Sequence, residues 1–179
     1  MTTDKAQPAG VISAGQVWAW LGEVADPEIP VVSVVDLGIV RSVEMTGPHA
    51  CRVTLTPTYS GCPAMQVIAD AVTEALSSHG VGQVTLVSQL SPAWTTDWIS
   101  EAGKARLKGY GIAPPAGQVI DISGLHGGVK RRVLPTLTVA CPNCGSGHTE
   151  LTSQFGSTPC KALYKCLACR EPFDYFKCH

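Results

Sequence analysis

Long apolar runs are missing from this chain: nothing in it approaches the roughly 20 consecutive residues that a membrane-crossing helix needs. Charge is sparse and evenly split. Only 15% of the 179 residues are charged, and 13 basic against 14 acidic side chains leave a net charge of −1, which excludes a broad electrostatic footprint for nucleic acid. There is no glycine-rich dinucleotide fingerprint, no phosphate-binding Gly-x-x-x-x-Gly-Lys-Ser/Thr pattern and no Glu-x-x-His pair at helical spacing. A catalytic role is therefore not expected. Residues 1–10 lack the basic-then-apolar profile of an export signal, so the expectation is a soluble protein of the cytoplasm.

What the chain does have is a hydrophobic fraction of 45%, enough to bury a core, and 8 cysteines placed unevenly. Cys51 and Cys62 serve the front, while Cys141, Cys144, Cys160, Cys166, Cys169 and Cys178 crowd the end. In a reducing compartment, Cys-x-x-Cys pairs hold metal more often than they form disulfides. Cys141-Pro-Asn-Cys144 and Cys166-Leu-Ala-Cys169 are two such turns, with 21 residues between them. Each presents two thiolates on one side of a tight loop, and together they supply a tetrahedral set for Zn²⁺, with iron or an iron–sulfur cluster as the chemical alternative. A tail of about 45 residues is too small for a dependable core, so metal ligation is expected to supply much of its folding free energy. Cys160, Cys178 and His179 fall outside the simplest ligand set, and His148 has no priority over the four paired cysteines. Lys161 and Lys165 can offset thiolate charge or face solvent. Phe155, Tyr164, Phe173, Tyr175 and Phe176 suit a miniature core or a partner surface.

The front reads as helix, hairpin, helix, strand, helix. Ser13-Ala14-Gly15-Gln16 has the form of a capping box, and Val17, Trp18, Leu21, Val24 and Ala25 follow at helical spacing, which predicts a helix over 14–25. Two prolines end it at Asp26-Pro27-Glu28-Ile29-Pro30. Residues 39–45 and 51–56 form a hairpin, in which Cys51 alternates with Val53 and Leu55 and belongs to the core. Cys62 as N-cap and Pro63 at the first position open a second helix, with Ile68, Ala69, Val72 and Leu76 as its stripe and Gly80 as its stop. A strand over 84–90 and a helix over 96–107 follow. The resulting fold class is α+β, an α/β sandwich with a small mixed sheet, followed by a small zinc-ribbon-like metal module. The expected domains are 1–112 and 135–179, joined by a proline- and glycine-rich linker over 113–134 that carries Lys130-Arg131-Arg132.

Topology then predicts neighbours. The β-helix-β connection normally makes the third strand parallel to the second. One rim should therefore carry Asp36, Thr56, Thr58, Tyr59, Ser60, Cys62 and Trp94, with Asp26 and Glu28 folding over it. At a helix N-terminus, Cys62 would gain an electrostatic preference for thiolate, which makes it a candidate nucleophile and metal handler. The ordinary alternative is a small cysteine packed under a loop, and Asp26 and Glu28 can equally brace turns. His49 and His79, at a turn and a helix end, are assigned no catalytic part.

The motifs Asp26-Pro27-Glu28-Ile29-Pro30, Val35-Asp36-Leu37-Gly38-Ile39-Val40, Thr56-Pro57-Thr58 with Gly61-Cys62-Pro63, and Ser91-Pro92-Ala93-Trp94 resemble the iron–sulfur-assembly family of bacterial SufT-like proteins and cytosolic cluster-targeting factors, over roughly residues 14–112. The tail resembles the phenylacetate-degradation protein D family in Cys141-Pro-Asn-Cys144-Gly-Ser, Phe155-Gly-Ser-Thr158-Pro-Cys160-Lys161, Cys166-Leu-Ala-Cys169 and Glu171-Pro-Phe173. The resemblance implies an accessory factor of the phenylacetyl-CoA epoxidase system that helps assemble or deliver an iron–sulfur or iron cofactor. Cys62 would be the reactive or transiently iron-binding residue. Epoxidase components, above all the iron–sulfur reductase, would be the partners, and a homodimer is compatible with it. A non-catalytic docking or regulatory subunit of the same complex is the alternative.

Overall fold

The computed structural model describes residues 11–115 and 138–177. They group into two compact units, the first ending at Trp94 and the second starting at Thr95. Among the described residues no helix is long and apolar enough to cross a membrane. The expected linker over 113–134 lies outside the described residues from 116 onward.

The first unit opens with α1 (Ala14–Leu21), and both halves of its capping box form: the Gln16 N–H donates to Ser13 Oγ at 3.3 Å and the Ser13 N–H to Gln16 Oε1 at 2.9 Å. The helix stops at Leu21, four residues earlier than the apolar spacing predicts. The Gly22 N–H closes back on the Trp18 and Ala19 carbonyls, and the chain then leaves the helix so that Asp26 N–H can reach the Val32 carbonyl at 2.9 Å and Ala25 can bridge to Ser33. Val24 is buried by this loop pairing, not by helical position.

Strand β1 (Val40–Gly47) pairs antiparallel with β2 (Ala50–Leu55), and β3 (Gln83–Ser88) lies parallel to β2, which gives the mixed order β1-β2-β3. Helix α2 (Met65–Ser78) makes the crossover and buries Ile68, Val72 and Leu76. These join Val17 and Leu21 of α1 and Cys51, Val53 and Leu55 of β2 among the buried residues, so Cys51 is core, as its alternation implies. Beyond β3, the Trp94 indole N–H donates to the Leu37 carbonyl at 2.8 Å and ties the chain back onto the loop that precedes β1.

In the second unit a short 3-10 turn (Thr96–Trp98) precedes α3 (Glu101–Gly109). The sequence pattern starts this helix at Thr96. Ser100 captures the start instead, its Oγ accepting the Gly103 N–H at 2.9 Å. Strands β4 (Ile112–Ala113), β5 (Thr149–Ser153), β6 (Lys161–Cys166) and β7 (Pro172–Phe176) form a second sheet in the order β4-β7-β6-β5, antiparallel except for β4 against β7. Its small core gathers Ala113, Val139, Cys141, Ala162, Cys166, Phe173 and Tyr175, with Tyr164 packed on Phe173 and Tyr175 at ring separations of 5.9 and 5.5 Å. Most of the tail's aromatics thus serve a miniature core. Phe155 is the exception, exposed at 67% under the Lys177 ammonium.

Trp94→Phe keeps the buried ring and deletes the bond to Leu37. It is expected to lower the unfolding free energy by roughly 1–3 kcal/mol, measured by urea denaturation of the full chain.

Candidate functional site

Two short loops build the metal centre. In the first, the Gly145 N–H bonds to the Cys141 carbonyl and the Cys141 N–H to the Ser146 carbonyl. In the second, the Cys166 N–H reaches the Glu171 carbonyl. The residue after each second cysteine is left-handed, Gly145 at φ 76° and Arg170 at φ 67°, which is how each loop reverses beneath its sulfurs. Leu167 N–H donates to the His148 carbonyl at 2.8 Å and joins the two loops.

The four sulfurs of Cys141, Cys144, Cys166 and Cys169 lie within 4.8 Å of one another. The Cys141–Cys169 and Cys144–Cys166 separations are 3.8 and 3.6 Å. A tetrahedron with sulfurs about 2.3 Å from its centre has edges of about 3.8 Å, so the set has the dimensions of a four-thiolate metal site. Its electrostatics point the same way. Backbone N–H donation from Cys169 is the main cause holding the Cys166 thiol down at about 6. The Glu171 backbone lowers Cys169, yet burial and the company of Cys166, Cys144 and Cys141 outweigh it and push that thiol up to about 12. Cys166 gives up its proton readily, whereas Cys169 keeps its own until a cation compensates.

The remaining tail candidates stand apart. Cys160 is buried with its sulfur 3.1 Å from Thr158 Oγ1. His148 is exposed and outside the sulfur cluster, and Cys178 and His179 lie outside the described residues. Lys161 does not face solvent: it is buried, with Nζ 3.6 Å from Asp174 Oδ2, which also accepts the Ser157 hydroxyl at 2.9 Å. Lys165 is exposed. The Lys161–Asp174 pair was invisible in the sequence because its members sit on neighbouring strands with no local motif. Gly156 completes that corner, since a Cβ there would meet Asp174 Oδ1 at 2.5 Å.

Backbone bonds set the position of Cys62. The Thr56 N–H donates to the Ile39 carbonyl at 2.8 Å and the Cys62 N–H to the Tyr59 carbonyl at 3.2 Å, so the stretch after β2 folds over the end of the sheet before α2 begins. Cys62 is half-buried and stands ahead of α2, whose N-cap is Ala64. Its thiol is pushed up, not down. Burial is the largest cause. A hydrogen bond from the Ala64 backbone opposes it, the Glu28 and Asp26 carboxylates raise it further, and a bond with Tyr59 lowers it. The expectation that the helix end activates this sulfur is therefore corrected: desolvation and two nearby negative charges win over the backbone dipoles.

The carboxylates also have structural work. Asp26 Oδ1 accepts the Glu28 and Ile29 N–H groups at 2.9 and 2.8 Å and braces its own turn. Asp36 is buried and exchanges bonds with Ser33, accepting its N–H and hydroxyl on Oδ2 while the Asp36 N–H donates to Ser33 Oγ. Thr56 and Thr58 are buried, and the Thr56 hydroxyl has no hydrogen-bond partner among the described residues.

Three outcomes follow from this geometry. Cys166→Ser is expected to abolish stoichiometric metal in the purified chain and to erase the near-ultraviolet signal of the packed tyrosines. Arg170→Gly should relieve the left-handed backbone and raise tail stability by about 0.5–1 kcal/mol, read as a thermal shift of the metal-loaded protein. Because the folded state favours neutral Cys62, its alkylation at a given pH should be slower than in the unfolded chain. Glu28→Gln should speed it, as mapped by mass spectrometry of the Cys62 peptide.

Comparison with known proteins adds the family. Residues 15–88 match the model of an iron–sulfur cluster assembly protein, and residues 127–177 match the PaaD zinc beta ribbon domain. An Escherichia coli (strain K12) protein, named as a candidate component of 1,2-phenylacetyl-CoA epoxidase, is 49% identical over 91% of this chain and 92% of its own length. The Fe-S protein maturation auxiliary factor YitW of Bacillus subtilis (strain 168) is 36% identical over 49% of this chain and 85% of its own. A domain of unknown function, DUF59, from Bacillus anthracis has the same fold over 52% of this chain and 90% of its own, at 29% identity and a TM-score of 0.50. With 49% identity over nine-tenths of both this chain and the Escherichia coli protein, and with both matched domains in one polypeptide, this chain belongs to the PaaD family.

Proposed function

We propose that this chain is a maturation factor of a phenylacetyl-CoA epoxidase system: it helps assemble or deliver an iron–sulfur or iron cofactor to an oxygenase or reductase component and does not itself catalyse the oxidation. What carries the reading is the 49% identity that runs through both domains to the Escherichia coli relative, whose name assigns it to that epoxidase. The match of the front domain to Fe-S maturation auxiliary factors supports the chemistry. The work belongs in the reducing cytoplasm, with the iron–sulfur reductase as the first client.

In this reading the two parts divide the task. Zn²⁺ is the ion held by Cys141, Cys144, Cys166 and Cys169, supported by sulfur separations of 3.6 and 3.8 Å. It supplies folding free energy and no redox chemistry, and the ribbon it braces holds the client. Cys62 meets the cargo. Its sulfur rests as a thiol because Glu28 and Asp26 disfavour a bare thiolate. The same carboxylates attract an incoming iron cation, whose charge then favours loss of the thiol proton. Asp36, Thr56 and Thr58, all buried, shape the rim.

The raised thiol also favours a second reading, a docking or regulatory subunit that transfers no metal. Reconstitution of apo-reductase separates the two. Wild-type protein is expected to restore iron and sulfide in the client, and Cys62→Ser to restore at most about a tenth as much, a difference worth about 1.4 kcal/mol in rate. Equal restoration by both overturns the cargo role of Cys62. Stoichiometric co-purification with no effect on client cofactor content selects the docking role. Metal analysis of the purified chain should find zinc in a colourless protein, and visible bands with iron and sulfide would overturn that assignment.

A further inference from the structure

The two edges of the front sheet are built differently. On β1, Arg41 and Glu44 stand along the strand, and its register with β2 breaks between Val40 and Ser42 and again between Met45 and Gly47. Charge and bulges are how soluble proteins stop an edge from pairing. The other edge, β3, has neither. Its residues Gln83-Val-Thr-Leu-Val-Ser88 carry no charge and no proline, and they keep an unbroken register against β2 from Ala50–Gln83 to Leu55–Ser88. Among the described residues no strand lies on its outer side.

The direction of its free groups follows from the bonds it makes inward. Gln83 N–H donates to the His49 carbonyl and Gln89 N–H to the Leu55 carbonyl, so in this parallel pair the odd residues point their backbone groups at β2. The N–H and C=O groups of Val84, Leu86 and Ser88 therefore point away from the sheet. The same residues face the side chains of Cys51, Val53 and Leu55, their register partners, which are buried, while Val84 and Leu86 are only half-covered. Both the backbone row and the apolar layer stop short at this edge.

We propose that β3 is a dimer interface, paired antiparallel with β3 of a second copy of this chain. Antiparallel strands place directly opposed residues on one face and join those whose backbone groups point at each other. A two-fold axis at Leu86 meets both conditions: Leu86 opposes Leu86 of the second copy, and Val84 opposes Ser88 in both directions. Every outward N–H and C=O of the three residues is then matched. The half-covered Val84 and Leu86 extend the buried layer across the axis, and Thr85 meets Val87, 38% exposed, on the opposite face. A self-paired strand of this kind gives the closed, isologous interface that two-fold dimers use. The three-stranded sheet becomes a continuous six-stranded one.

Sedimentation of the full chain across a wide concentration range tests this, together with residue-resolved amide exchange. The wild type is expected to dimerise, with Val84, Leu86 and Ser88 amides gaining protection as the dimer forms, while Thr85 and Val87 are protected throughout by β2. Ser88→Pro removes an outward N–H at an exposed position and leaves every β2–β3 bond intact, so it should weaken the dimer by about tenfold or more with unchanged Thr85 and Val87 protection as the control for folding. A chain that stays monomeric with freely exchanging edge amides overturns the proposal. So does a dimer indifferent to Ser88→Pro, which uses another face, and so do edge amides protected in a monomer, which another segment of the chain must cover.

Discussion

Four thiolates within 4.8 Å of one another would repel strongly unless a positive charge sat among them, and the second unit is arranged around that constraint. Two of its sulfur-bearing residues, Cys141 and Cys166, belong to the small buried core, so the metal site and the core are the same piece of structure. The sheet beside it contributes one layer of Phe173, Tyr175 and Tyr164, too little to stand alone in so short a segment. Ligand repulsion, uncompensated, would push apart the two loops that Leu167 and His148 join. A cation bonded to all four sulfurs would hold the same loops together.

The front unit solves a different problem, the placement of one sulfur. The parallel crossover from β2 through α2 to β3 brings the loop before α2 to the same end of the sheet as the turn around Asp36 and the Trp94 indole. Asp26 shows how economically the loop is used: one oxygen braces the backbone of Glu28 and Ile29, while the charge on the group acts on Cys62. Structural and electrostatic roles are not alternatives there. The cost is a sulfur less acidic than a helix end alone would make it.

Much of this was legible before any coordinates, and the boundary of legibility is physical. The capping box, the core position of Cys51, the parallel third strand and the two cysteine turns all follow from residues within a few positions of each other or from the handedness of crossovers. What escaped was decided at long range. The first helix ends where Asp26 finds Val32, the third waits for Ser100 although Thr96 comes first, and Lys161 is buried because Asp174 lies on the adjacent strand. The sign of the Cys62 shift escaped for a related reason. A dipole can be read from sequence order, whereas desolvation depends on what the rest of the chain stacks over the sulfur.

The pairing of β4 with β7 carries a consequence for how the tail comes into being. Ile112 and Ala113, just beyond α3, lie against Asp174 and Tyr175, closing a span of roughly 60 residues. During synthesis the earlier strand must therefore wait for its partner until Asp174 and Tyr175 have emerged. The cysteine turns lie inside that span and can close around an ion first, shortening the search that remains. A polypeptide cut after the cysteines but before Pro172 would leave Ile112 and Ala113 without their partner strand.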